Sequence, residues 1–398
     1  MGNALDQLFV TAKHAVVGLL PSAVQDFASL LLTVAALVLT FVSLFALTVL
    51  AERKGLGRIQ NRPGPNRVGP AGLLQPLADF VKMLTKEDIV PDRADALLHF
   101  LAPLCLVVPV LLSFAVLPIG RNMVAADFDA GLLYFFAAGT CVELAVFMAG
   151  WASRNKYATL GALRAIAQMI SYEVPFVLAA VPVALLAGTL SLPRMVELQA
   201  VPEGAWLAGW NVFTPWGAAG CLLFFVAAAA EANRSPFDLP EGESELIAGH
   251  LIEYSGFKYA LFFIGEYLGL FAASGLGITL FLGGWQPPCA ALDWVPSWLW
   301  FFLKLAACIA GFIWIRGTVP RLRADQLMGL AWKFLLPLTL LNLVLAAGWH
   351  YTRAWSFPGA GPARWIGVAI PFLVAYATLG RALNTGTRIG PRVYRFAS

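Results

Sequence analysis

The sequence predicts an all-α integral membrane protein, a polytopic helical bundle of eight core transmembrane helices plus a ninth at the C-terminal end. Three observations carry that prediction. Hydrophobic residues make up 59% of the 398 and charged ones 13%, with a mean hydropathy of +0.74, the composition of a chain dissolved in lipid. Apolar runs approach the length at which a helix crosses a hydrocarbon layer about 30 Å thick. The basic residues fall on alternate connections between those runs.

Taken in order, residues 1–27 carry Lys13 and no small-residue cleavage site, so they read as a short amphipathic lead-in rather than a cleaved signal. Asp26 stands where a helix cap is expected. Apolar windows then place spans near 28–50, 97–118, 132–151, 170–190, 215–231, 258–282, 297–315 and 332–350. Residues 28–350 form this core, with intervening loops at 52–96, 152–169, 232–257 and 316–331. Residues 351–398 add a ninth span near 366–380, with Pro371 placed to kink it, and a basic tail of Arg381, Arg388, Arg392 and Arg395.

Orientation follows from charge. Eight Lys or Arg lie between residues 52 and 96, three in 152–169, two around 232–258, four in 316–333 and four after 380. The opposite connections hold one at most, apart from Arg353 and Arg364. By the positive-inside rule the N-terminus faces outward, and these loops and the tail face the cytoplasm. Such a chain belongs in a membrane, and no nucleic-acid partner is expected.

Redox centres are poorly supported. Cys105, Cys141, Cys221, Cys289 and Cys308 stand singly with no C-x-x-C spacing, and His14, His99, His250 and His350 provide no mid-membrane pair for a haem. The sequence therefore predicts neither a metal site nor an electron carrier in this chain.

Intramembrane acids carry more information. Glu143 and Glu266 lie about eight residues from the loop end of their spans, roughly 12 Å deep at 1.5 Å per residue. Glu173, in SYEVPF, and Glu231, closing the fifth span, are nearer the boundary of the same leaflet. A carboxylate at a helix centre costs about 2.5–3.5 kcal/mol on the mildest insertion scales, so such groups face a bundle interior, a water-filled cavity or a proton path. One buried acid is explained equally well by a hydrogen bond to a neighbouring helix; four at related depth favour proton handling. Beside them, EANRSPFDLPEGESELIAGHLIEYSG (231–256) concentrates six carboxylates against Arg234. Anionic lipid would repel that stretch, which fits a segment held against protein.

The first loop, AERKGLGRIQNRPGPNRVGPAGLLQPLADFVKMLTKEDIVP, alternates Gly and Pro turns with Arg53, Lys54, Arg58, Arg62 and Arg67, then runs into an amphipathic helix bearing Asp79 and Lys82. A lipid-binding collar needs only charge. Fixed turns pre-order a surface, and that favours docking to a soluble protein.

With these stretches in order, joined by SRNKYATLGALRAIAQMISYEV, GEYLGLFAASGLGITLFLGGW and WIRGTVPRLRADQLMGLAWKFLLPLTLLN, the chain from about 40 to 350 resembles the H subunit of NADH:quinone oxidoreductase, respiratory complex I. The resemblance implies a membrane subunit that forms part of the quinone tunnel, anchors the hydrophilic arm and couples quinone reduction to proton translocation. Quinone is the substrate, and FMN and iron–sulfur clusters lie in partner subunits. The implied partners are soluble quinone-site and iron–sulfur subunits on the cytoplasmic side, small membrane subunits alongside, and membrane lipids. Glu173, Glu231 and Glu266 match the acids of the family's proton path, with Glu143 added on depth. Arg234, Asp238, Glu241, Glu243, Glu245 and Glu253 match the acidic loop beside the quinone cavity. Glu52, Arg53, Arg62 and Asp79 match the first-loop motif, Arg316 matches a tunnel-side arginine, and Phe262 and Phe263 are candidates to line the tunnel. No catalytic residue is expected in this chain.

Pro63, Gly329 and the extension beyond 350 depart from the family pattern. A secondary transporter would also bury acids, yet no two halves align as an internal repeat. The membrane subunit of energy-converting hydrogenases is a nearer rival, disfavoured by the full GPNRVGP and EGESELIAGHLIEYSG stretches.

Overall fold

A computed structural model describes residues 5–202, 208–239, 247–354 and 360–386. Among these residues the regular elements are helices and short helical turns. They are α1 (Leu8–Gly18), α2 (Ser22–Ile59), α3 (Gln75–Thr85), α4 (Ala96–Ser113), α5 (Gly131–Ala152), α6 (Lys156–Ala187), α7 (Leu192–Glu197), α8 (Pro215–Glu231), α9 (Gly256–Phe281), α10 (Ser297–Thr318), α11 (Ala324–Tyr351, with a π turn over Ala331–Leu335) and α12 (Ala360–Gly386). Eight of them, α2, α4, α5, α6, α9, α10, α11 and α12, are long and apolar enough to cross a membrane. The fifth expected span, α8, has 17 residues, the short limit for a crossing. The chain is a multi-pass membrane protein.

Each expected run falls on a helix, but several bounds move because hydropathy ends where charge begins, whereas a helix at the membrane boundary does not. α2 continues to Ile59, so Glu52 and Arg53 are helical residues rather than loop residues. α6 starts at Lys156, capped by the Asn155 side chain accepting from Tyr157 N at 2.9 Å, which reduces the expected loop 152–169 to a short turn. Pro21, not Asp26, occupies the position before α2, and Asp26 lies inside the helix. The cap before α4 is Asp95, which accepts from Leu98 N.

α9 is the centre of the bundle. In its most apolar window 72% of residues are buried, against 6% for α2 and for α12. α4, α8, α10 and α2 pack against it, and small residues set the approach of helices in the bundle: a Cβ on Gly265 of α9 would fall 1.9 Å from Leu106 of α4, and one on Gly150 of α5 would fall 2.3 Å from Ala162 of α6.

The loops expected to share a side meet at one end of the bundle. Ser255 Oγ donates to Glu87 O and accepts from Ile89 N, Asn155 Nδ2 donates to Glu253, and Leu322 N donates to Pro236 O. At the opposite end Leu132 N donates to Leu190 O, and Asp6 accepts from Ser297 N.

Candidate functional site

Three helices each bring one acid to a common cavity. Glu173 of α6, Glu231 at the end of α8 and Glu266 of α9 line an internal space of about 90 Å³ together with Thr140, Asn233 and otherwise apolar side chains. That is room for several water molecules. Thr140 Oγ1 donates to Glu173 Oε1 at 2.7 Å. Glu143, one turn from Thr140 on α5, is buried and lies within electrostatic reach of Glu173 and Glu231. Glu143 Oε1 and Glu231 Oε2 are buried without a hydrogen-bond partner. The four acids singled out in the sequence are therefore brought together.

A second cluster adjoins the first through α9. Glu52 is buried and is held by two partners, the guanidinium of Arg316 from α10 and the hydroxyl of Tyr267 from α9. The buried Arg234 lies with its guanidinium carbon 3.8 Å from the Tyr267 ring centre and 6.0 Å from that of Phe263, close enough for cation–π attraction. Phe263 packs edge-on to Phe45 and Tyr267. Tyr267 follows Glu266 directly, so consecutive residues of α9 touch the charge-paired cluster and the acid cavity.

The remaining candidates make contacts of their own. Arg53 pairs with Asp79 at 2.6 Å, and Gln75 Nε2 and Lys82 add contacts to the same carboxylate, which fixes α3 against the end of α2. Lys54 donates to Ala71 O, and a Cβ on Gly72 (φ +77°) would fall 2.2 Å from Pro65 O, so the Gly and Pro pattern of the first loop does fold onto itself. Arg62 reaches only locally, to Gln60 at 2.8 Å. Phe262 is fully buried against Tyr254 and His250, away from Phe263. Glu253 accepts from Asn155 at 2.6 Å. Asp238 is half-buried beside Phe237. Glu241, Glu243 and Glu245 lie outside the described residues.

The returning half of the acidic stretch is anchored by aromatic packing. His99 stacks on Tyr254 at 4.1 Å. Burial pushes the His250 imidazole down to about 4 and raises the Tyr254 phenol, so both are neutral anchors near pH 7.

Two residues of the site escape a reading of the sequence. Gln168 is fully buried and its Nε2 donates to Ala230 O and Phe237 O at 2.8 and 2.6 Å, with Asn233 Oδ1 also within reach at 3.2 Å, tying α6 to the connection after Glu231. Tyr267 stands in the GEY stretch, where the available signal is adjacency to a buried acid. Neither partner set is visible from one sequence.

Comparison with known proteins places this geometry in context. A family model described as NADH dehydrogenase matches residues 32–347. The chain is 49% identical over 323 residues to the NADH-quinone oxidoreductase H subunit of Geobacillus kaustophilus, covering 81% of this chain and 92% of that protein. It is 46% identical over 325 residues to an H subunit of Geobacter sulfurreducens, covering 79% and 94%. It is 40% identical over 360 residues to the H subunit of Polaromonas naphthalenivorans, covering 87% and 98%.

Proposed function

The chain belongs to the H-subunit family of NADH-quinone oxidoreductase, as a membrane subunit of that enzyme, and from this premise we propose that it forms part of the quinone tunnel and couples quinone reduction to proton translocation. The observation that carries the proposal is the junction on α9, where Tyr267 touches the cluster of Glu52, Arg316 and Arg234 and its neighbour Glu266 lines the acid cavity.

The chemistry follows from charge. A quinone that accepts two electrons becomes basic and draws protons or cationic side chains toward it. Arg234 and Arg316 are the cations beside the proposed tunnel, with Phe263 and Tyr267 as apolar walls. Any shift of Arg234 changes the field at Tyr267 and hence at Glu266. Acids sharing one low-dielectric cavity cannot all ionise independently, so a proton gained or lost at one is felt by the others. Glu266, Glu231, Glu173 and Glu143 then pass the change toward the outer face of α5 and the neighbouring membrane subunits. The first loop, fixed by Arg53 and Asp79, is the docking surface for the hydrophilic arm, whose flavin and iron–sulfur clusters deliver electrons. The loops accordingly lie on the cytoplasmic side of the inner membrane and the N-terminus outside.

Glu231→Gln tests the relay. The amide keeps size and most hydrogen bonding but cannot carry the proton. The complex should assemble in normal amount, while inhibitor-sensitive quinone reduction and proton uptake, each normalised to assembled complex, fall together by about a hundredfold, the low end for losing a general acid or base. Wild-type pumping in this variant sinks the relay.

A further inference from the structure

At the end of the bundle opposite the loops, Lys304 of α10 reaches into the turn that follows α9. Its Nζ donates to Leu282 O at 2.6 Å, Gly284 O at 2.8 Å and Gln286 O at 2.7 Å, and it lies 4.1 Å from the centre of the Trp210 ring. An ammonium has three N–H donors, and all three are used. The turn is shaped for this: Gly283 and Gly284 have φ of +70° and +52°, and a Cβ at either would meet Trp210 at 2.3 Å or Val196 at 2.6 Å. The cation also lies at a helix C-terminus, where the aligned peptide dipoles favour positive charge.

Two further side chains grip the same end. Gln199 accepts from Gly283 N at 3.1 Å and donates to Thr279 O at 2.9 Å, while Asn211 Nδ2 donates to Leu280 O at 2.7 Å. From Ser274 to Phe281 every residue of α9 is buried, and no proline interrupts the helix between this end and Glu266. Leu282 lies 16 residues beyond Glu266, roughly 24 Å along one rigid rod. A slip or rotation at the pinned end is therefore carried along the helix toward the two residues that touch the acid cavity and the Glu52 cluster.

We propose that Lys304 is a positioning residue for quinone-linked proton transfer: its ammonium, seated on three backbone carbonyls, fixes the axial register of α9 and thereby the placement of Glu266 and Tyr267. The inference rests on the relay reading above. It assigns the lysine no contact with quinone and no proton of its own to pass on.

The test uses the assembled complex in native membranes with Lys304→Ala, Lys304→Met and Lys304→Arg, and with Glu266→Gln in parallel. Lys304→Ala leaves the carbonyl cradle open to a small cation. Quinone turnover per assembled complex should fall about tenfold with KM for quinone within about twofold, since misplacement of a reacting group acts on the transition state. NADH oxidation by a water-soluble acceptor that bypasses the quinone should stay at the wild-type rate. Added ethylammonium should restore turnover several-fold and saturably, tetramethylammonium, which has no N–H, should not, and Lys304→Met, whose side chain fills the cradle, should respond to neither. Wild-type turnover in Lys304→Ala overturns the proposal, as does a loss that no ammonium relieves. If Lys304→Ala fails to assemble, Lys304→Arg decides: its planar fork cannot meet three carbonyls as the ammonium does, so a reduced kcat supports the proposal and wild-type pumping makes Lys304 a strut only. Wild-type pumping in Glu266→Gln, beside a rescued loss in Lys304→Ala, removes Glu266 from the relay and leaves Tyr267 as the group that Lys304 positions.

Discussion

Glu52 and Glu231 are the same residue type, each with a carboxyl oxygen inside the same bundle, and their surroundings are opposite. Glu52 is locked between a guanidinium and a phenol. Glu231 has an oxygen with no hydrogen-bond partner and shares its surroundings with other acids, Glu173 and Glu266 lining the same cavity. A carboxylate matched by a cation is a fixed part whose charge state resists change, whereas carboxyls that see one another hold protons collectively. Burial alone therefore does not identify a proton carrier: the neighbouring charge decides.

Breaking the paired case should do the most damage. Arg316→Ala removes the cation and leaves Glu52 buried and uncompensated, a change that typically costs about 3–5 kcal/mol in a closed interior. Because the Arg316 side chain is 36% exposed, solvent relieves part of this. The expected outcome is a clear drop in assembled complex, and Arg316→Ala combined with Glu52→Gln should recover much of it by removing the stranded charge. Blue-native gels of both variants give the readout, and equal loss in single and double mutants would show that the pair does not hold the fold.

The unpaired case should fail differently. Glu143→Gln, like Glu231→Gln, should leave assembly intact and reduce proton uptake, but by less than Glu231→Gln, because Glu231 lines the cavity and Glu143 does not. Adding both substitutions should be strongly non-additive if the acids act as one unit. Additive losses in proton uptake would mean separate paths.

Much of this contrast is legible in the sequence, though unevenly. Apolar runs locate every long helix, since a lipid-crossing helix advertises itself by length and composition alone. The depth of Glu143 and Glu266 along their spans marks them as expensive. Pairing is what a single sequence hides. Arg316 lies 264 residues from Glu52, Arg234 stacks on Tyr267 across a connection, and Lys304 meets carbonyls 18 to 22 residues away, a backbone target that leaves no trace in residue types. Helix ends are obscured for a related reason: Glu52 and Arg53 resemble loop residues until their partners are known. Phe262 and Phe263, indistinguishable in sequence, face different clusters.

A buried base obeys the same rule with the opposite sign. His250 lies outside the spans, with no hydrogen-bond partner on either ring nitrogen, and burial takes its imidazole from 6.5 to about 4. Its folded-state value is below the unfolded one, so the neutral form is favoured by folding. The stability it contributes is present above about 6.5 and is lost as the pH falls toward 4. His250→Phe, which removes the titration and keeps an aromatic against Phe262, should flatten the acid limb of thermal stability. Parallel melting curves of wild type and variant, taken between about pH 7 and pH 5, check this, and identical slopes would assign the acid sensitivity elsewhere.

Least is at stake in the exposed version of a matched pair. Arg53 and Asp79 form the same kind of bridge as Arg316 and Glu52, but their side chains are 47% and 24% exposed, and exposed pairs contribute only about 0.2–1 kcal/mol. Arg53→Ala should therefore shift the melting temperature of the isolated membrane subunit slightly, through loosened packing of α3 against α2. Arg62→Ala should shift it less, because its side chain bonds to Gln60, a neutral residue two positions away. Binding of the soluble arm separates stability from docking: if the first loop is the docking surface, both substitutions weaken binding by more than their effect on melting. Should Arg53→Ala weaken it and Arg62→Ala leave it untouched, docking is carried by the ordered α2–α3 corner and not by the loop's charge as a whole. Equal weakening would place Arg62 against a partner carboxylate, and no weakening in either would return the loop to a lipid-facing collar.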